Sequence, residues 1–341
     1  MSLFKLFSCC LPVQKSKKNP VLDSPVGAVS PVVVSPTTPK IQDVFLLDMP
    51  DLVMREILKN LDVLTFQKLR KVCFSLRKFV DFVKPDSNLK EILIEVRADL
   101  ITGSVKGQQM KMIKHVYKEH EDGCEMTINF REAKVIEKNF IDVYAGNFLR
   151  PLLENQKSPL DKLCLIEQNA DKLNMKLPQT PRKFLVPTFE NVFNCSMKVL
   201  ESRGCLLQVE CLKISVLGQD QLMTMLRYVD LKFLKKLKIY RLEETESRVH
   251  TEYILNLDIL ENCEKLEKLC VKGFYISSSF SLFTHIPELK VSMQIIYCDE
   301  VIQFQETLVK FFSVMYATTN FPTNLDLWKL SAHHKMLTML T

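Results

Sequence analysis

Two adjacent thiols near the start, Cys9 and Cys10, are the residues whose type and neighbours most directly specify a chemistry. They follow the apolar Leu3, Phe4 and Phe7 and precede Lys15, Lys17 and Lys18. A cysteine acylated through a thioester buries its chain in a bilayer, and nearby lysines attract anionic headgroups. Two acyl chains with a basic patch anchor stably where one chain binds marginally. Ser2 stands where myristoylation needs glycine. Cys9 and Cys10 are therefore candidate lipidation sites and the tail a candidate peripheral membrane contact. The plainer alternative is an unmodified chain end.

The other reactive side chains form no recognisable set. The cysteine count of 11 is odd and contains no CxxC, which argues against a disulfide framework or a zinc ribbon. Cys73, Cys164, Cys211 and Cys270 each sit among apolar residues, as small buried hydrophobes do. His333 and His334 are adjacent but have no acid or cysteine cluster beside them. None of the 8 glycines makes a GxGxxG or a GxxxxGK, so phosphate-cradling loops of those kinds are absent. No local motif ties an acid, a base or a nucleophile to catalysis. The expectation is a protein that is not an enzyme, with no catalytic residue, cofactor or metal. Free thiols place it in a reducing, intracellular and cytoplasmic setting. The apolar start is interrupted by Lys5 and has no small-residue cleavage site, unlike a secretory signal.

The net charge is +6, from 46 Lys+Arg against 40 Asp+Glu in 341 residues. Five lysines and two acids in the first 45 residues supply half of that excess. The remainder is nearly balanced, which disfavours nucleic acid as a partner. The most basic stretch, Leu231 to Arg241, alternates its lysines with Phe233, Leu234, Leu237 and Ile239 and reads as a solvated face. Apolar residues at 47% suffice for a core, and no run of about 18 of them marks a transmembrane helix.

The elements follow from spacing. Residues 14–44 hold five prolines among serines and threonines without periodicity, so residues 1–44 read as a disordered tail. Residues 45–85 read as three short helices. Asp48 is a suitable N-cap with Pro50 in the first turn, and Leu52, Val53, Ile57, Leu58 and Leu61 recur at helical spacing. Asp62 or Thr65 caps a second helix, and a stripe from Val72 to Val83 runs on until Pro85 stops it. So short a stretch cannot bury this much aliphatic surface alone.

Beyond Pro85, aliphatic triplets recur: around Ile92, Thr127, Cys164, Lys213, Lys238, Cys270 and Lys290. Aliphatic flanks about a Lys or Cys fit strands with alternating faces. Helical patterns lie between them, at Leu222–Leu226 and again at Tyr253, Ile254, Leu257 and Leu260. The last four centres are spaced 25, 32 and 20 residues apart, near a leucine-rich period. An α/β fold follows: over residues 86–341, an irregular leucine-rich-repeat-like β-α solenoid with a mostly parallel sheet. A compact α/β domain with unrelated connections is the alternative. In either case the triplets present a broad row of middle residues, Lys213, Lys238 and Lys290 among them, suited to a protein partner.

Met49-Pro50-Asp51-Leu52 with Ile57, Leu58, Leu61, Leu69, Val72-Cys73 and Leu76 resembles an F-box. Met49 stands where the family has Leu, Leu52 where it has an acid, and Leu76 where an aromatic is frequent. Val83-Lys84-Pro85-Asp86, Leu153-Glu154-Asn155-Gln156-Lys157-Ser158-Pro159-Leu160 and the Leu212–Val271 pattern are similar to nematode F-box proteins with a C-terminal FTH domain, its core at about 185–320. The resemblance implies docking of a Skp-type adaptor of a cullin–RING ubiquitin ligase through Met49, Pro50, Ile57, Leu58, Leu61, Leu69, Val72 and Cys73. It also implies that the FTH region holds an unidentified protein substrate for degradation. Periodicity alone allows the same helices to be a cap on the following domain. A ubiquitin-independent scaffold, tethered through its tail, is the competing function.

Overall fold

The computed structural model describes residues 49–295 apart from 109, 130, 169–184 and 243–252, together with 299, 300 and 302. Cys9, Cys10, Asp48 and the His333-His334 pair lie outside these residues. Three helices open the described chain: α1 (Asp51–Lys59), α2 (Val63–Val72) and α3 (Phe74–Val83). Pro50 takes the N-cap position of α1, one residue earlier than the first-turn place expected for it. Its carbonyl accepts from Val53 N and Met54 N. The Asp62 side chain caps α2, accepting from Thr65 N at 3.0 Å and Thr65 Oγ1 at 2.9 Å. After α3 the chain turns at Lys84, which is left-handed (φ 46°), and Pro85 cannot extend the helix.

The strands are β1 (Leu89–Val96), β2 (Leu100–Gly107), β3 (Ile113–His120), β4 (Gly123–Ile128), β5 (Lys134–Ile136), β6 (Lys162–Glu167), β7 (Cys211–Val216), β8 (Lys236–Arg241), β9 (Ile254–Leu255), β10 (Lys268–Ile276) and β11 (Glu288–Met293). All seven aliphatic triplets lie within them. They form one sheet in the order β11-β10-β8-β7-β6-β1-β2-β3-β4-β5, with β9 pairing β10. The fold is thus mixed α/β, with three N-terminal helices and a large sheet.

The described residues do not bear out the expected leucine-rich-repeat-like β-α solenoid over 86–341. β1 to β5 are an antiparallel meander. Their connections are short, down to the two residues Glu121 and Asp122 between β3 and β4. A parallel pair needs a crossover of a dozen or more residues, so these strands have no choice but to reverse. From β6 onward every pairing among the described residues is parallel. The longer connections there carry α6 (Leu185–Glu201), α7 (Gln219–Leu226) and short 3₁₀ turns. The helix expected around Tyr253–Leu260 is instead β9 followed by a 3₁₀ turn at Asp258–Asn262. Asn256 and Asp258 explain it: the Asn256 side chain accepts from Asp258 N and donates to the Asp258 carboxylate, a local bond that competes with a helix.

Because β6, β7, β8, β10 and β11 sit in chain order, right-handed crossovers bring their described helices and 3₁₀ turns to one face of the sheet. That face is the core. Register places Ile92, Leu163, Leu212, Leu237, Leu269 and Leu289 in one row across it, and all but the partly buried Leu289 are buried. Between β5 and β6, α4 (Phe140–Tyr144), a π-helical turn (Ala145–Leu149) and α5 (Arg150–Leu153) cover the same face over the meander. Phe148 from that turn lies on Gly103 of β2, with ring carbons 2.7–2.9 Å from where a Cβ would be. Only glycine leaves room for the ring there. Met54, Leu58, Val63, Phe66, Leu69, Leu76 and Val80 of the helices join the same core as the sheet.

Candidate docking face

The eight residues expected to meet an adaptor separate by depth. Pro50 and Val72 are exposed; Met49, Ile57, Leu61 and Cys73 are half-buried. Leu58 and Leu69 are interior, at 2% and 4% exposure. Leu58 shares the inward stripe of α1 with Met54, and Leu69 that of α2 with Val63 and Phe66. They support the face from beneath and do not form part of its surface.

Four apolar side chains outside the expected adaptor set are exposed on the same three-helix unit. Leu52 is 81%, Phe82 72%, Phe74 65% and Val53 45% accessible. The Arg55 guanidinium stands over the Phe82 ring at 5.6 Å, linking α1 to α3, and the Lys78 ammonium lies 4.7 Å from the Phe74 ring centre. The sequence held a signal for this. Apolar residues in α3 fall at 74, 76, 79, 80, 82 and 83, more than one helical stripe can hold. A helix apolar on two sides buries one in its own domain and presents the other. Exposed apolar clusters of this sort mark interaction sites.

The unit is held to the sheet by a polar joint. The Asp86 carboxylate accepts from Asn88 N (3.1 Å), Lys157 N (2.8 Å), Ser158 N (2.9 Å) and the Ser158 hydroxyl. Lys157 Nζ donates back to Lys84 O at 2.9 Å, and Ser87 N donates to Asn155 O at 3.2 Å. Beside it, buried Gln156 pairs with the start of β1 as a strand would. It accepts from Leu89 N at 3.0 Å and donates to Leu89 O at 3.1 Å. Arg203, just past α6, donates to the carbonyls of Leu153 and Gln156. The two motifs read separately in the sequence, 83–86 and 153–160, are thereby bonded to each other.

Where α2 and α3 approach α5 there is a cavity of about 200 Å³, bordered by Val63, Phe66, Arg70, Asp81 and Pro151. Arg70 Nε and Asp81 Oδ1 form an ion pair of 2.8 Å beside it. Among the described residues no group of three or more His, Cys, Asp or Glu is placed to hold a metal ion. No helix among them is long and apolar enough to cross a membrane.

A family model of the F-box domain matches residues 46–88, covering α1 to α3 and the turn through Asp86. A family model of the FTH domain matches residues 190–325, from within α6 through β11. No curated protein and no solved structure matches the chain. F-box domains generally bind Skp-type adaptors of cullin–RING ligases. The three helices with the exposed apolar face are an F-box domain, and the chain carries it ahead of an FTH domain.

Proposed function

We propose that this protein is the substrate-recognition subunit of an SCF-type ubiquitin ligase. The F-box docks a Skp-type adaptor, and the sheet region with its FTH domain holds a protein target for degradation. Ubiquitin transfer belongs to other subunits, so this chain has a binding role and needs neither cofactor nor catalytic residue. The observation that carries the reading is the group of exposed apolar side chains, Leu52, Val72, Phe74 and Phe82, within the matched F-box. Amphipathic helices lay such anchors into an apolar groove. The docking surface is then Met49, Pro50, Ile57, Leu61, Val72 and Cys73 joined by Leu52, Val53, Phe74 and Phe82, with Leu58 and Leu69 shaping it from within. An intracellular, cytoplasmic location fits this role. A membrane tether through Cys9 and Cys10 is compatible with it and not required by it.

The test is capture of a purified Skp-type adaptor by the full chain and by the double variant Leu52→Asp with Phe82→Asp. A carboxylate in a dry docking face loses its hydration without gaining a partner, which costs several kcal/mol. Capture should fall by at least about a hundredfold, as 1.4 kcal/mol is a factor of ten. Undiminished capture sinks the face as assigned. No capture by either form, with a target still bound, points to the ubiquitin-independent scaffold.

A further inference from the structure

Among the described residues the topology stacks the crossovers on one face of the parallel strands and leaves lysines of these strands on the other, where Cys164, Ile166, Ser215, Tyr240 and Cys270 are buried. Register places them across it in two adjacent rows. One row holds Lys162, Cys211, Lys236, Lys268 and Glu288; the next holds Cys164, Lys213, Lys238, Cys270 and Lys290. Lys236 is directly opposite Lys268, and Lys238 directly beside Lys213. Like charges facing across a strand pair are destabilising, so the sheet carries this repulsion as a standing cost.

The nearby carboxylates neutralise it only in part. Glu288 is shared by Lys268, which hydrogen-bonds it, and Lys290 at 4.0 Å. Glu91 is held by Lys106 at 3.0 Å. At the strand starts Glu210 pairs with Lys235 at 2.9 Å, and Asp161 with Lys90 at 3.6 Å. Lys162, Lys236 and Lys238 have no carboxylate within ion-pair distance among the described residues. Glu288 reports what an acid experiences here: the Lys268 hydrogen bond holds its carboxyl below the usual value against the opposing effect of burial, and the charges of Lys268, Lys290 and Lys238 add to this.

We propose that this face of the sheet captures its protein target through an acidic segment, rich in Asp and Glu, laid across Lys236, Lys238 and their neighbours. This rests on the reading of the sheet region as the target-binding half of the molecule, and it adds the chemical class of the target. Residues two apart along a strand repeat at about 6.6 Å. An extended peptide repeats its alternate side chains at the same distance, so acids at alternate positions meet Lys236 and Lys238 together. Single-stranded nucleic acid would need aromatic platforms interleaved with the cations. Here Tyr240 is covered, at 3% exposure, and the accessible Tyr275 stands at the far end of β10.

The experiment uses the full chain and a short fluorescent peptide alternating Glu and Ser, with a Gln-for-Glu version as control. The Glu peptide should bind and the Gln peptide should not, with affinity falling as salt rises. Lys236→Gln with Lys238→Gln should weaken binding about fivefold to tenfold, as exposed ion pairs allow, while the protein melts no lower than the parent. Lys236→Glu with Lys238→Glu should transfer the preference to a Lys-Ser peptide. Equal affinity for Glu and Gln peptides, indifference to both double variants, or tighter binding of a single-stranded oligonucleotide of matched length each overturn the proposal. Adaptor capture measured on the same proteins separates the two readings. A chain that captures adaptor but ignores acidic peptides overturns only this inference; one that binds them without an adaptor overturns only the ligase reading.

Discussion

Gln156 is a polar side chain buried to 1% exposure that completes a sheet. Its amide stands in for a neighbouring strand at Leu89, where the β1–β2 ladder has a register shift between Leu89 and Glu91. Gln156→Leu removes both partners of Leu89 and leaves a buried N–H and C=O unpaired. Each such group costs roughly 1–3 kcal/mol, so the variant should lose about 2–6 kcal/mol in chemical denaturation. Gln156→Glu retains an acceptor for Leu89 N but sets a buried carboxylate against the Leu89 and Ser158 carbonyls with no donor for either, and should be no more stable than the Leu variant. A Leu variant as stable as the parent would show that the pairing is replaceable. Nothing in the sequence could reveal this role. Gln156 and Leu89 are 67 residues apart, and a glutamine followed by Lys, Ser and Pro reads as a surface turn.

At the scale of elements, what could be read from the sequence divides along the source of the signal. Strands marked by aliphatic triplets were legible because a strand buried on one face must alternate. β2 and β3 were not. Gly103 and Gly107 interrupt the first, and Lys114, His115 and Lys118 dilute the second. Gly103 exists for Phe148, a partner from a different part of the chain. In the F-box the helices were legible, but the division into inner and outer apolar residues was not, since both kinds recur at helical spacing. That division makes a sharp prediction. Leu58→Asp forces a charge into the core and should lower stability by several kcal/mol, visible as early melting of the full chain. Leu52→Asp, on the same helix but 81% exposed, should leave the melt within about 0.5 kcal/mol of the parent. Equal melts for the two would mean that α1 is rotated relative to the arrangement described.

For the molecule as a whole, under the proposed ligase role, the joint around Asp86 has a consequence for the rate of ubiquitin delivery. A ligase subunit with two binding surfaces acts as a caliper. What matters beyond grip is the span at which the captured lysine is offered, and a hinge between the jaws spreads that span over many values. Three backbone N–H groups and a hydroxyl locked on one carboxylate, next to the left-handed Lys84 and to Pro85, remove the hinge. Asp86→Ala should therefore separate holding from delivering. Adaptor and target should each still bind the variant with parental affinity, while ubiquitin transfer in a reconstituted ligase slows and its products spread over more acceptor lysines. A variant that transfers as fast and as selectively as the parent would show that the caliper is set elsewhere. If the expected outcome holds, two turns that belong to neither binding surface decide which lysines of the target are marked.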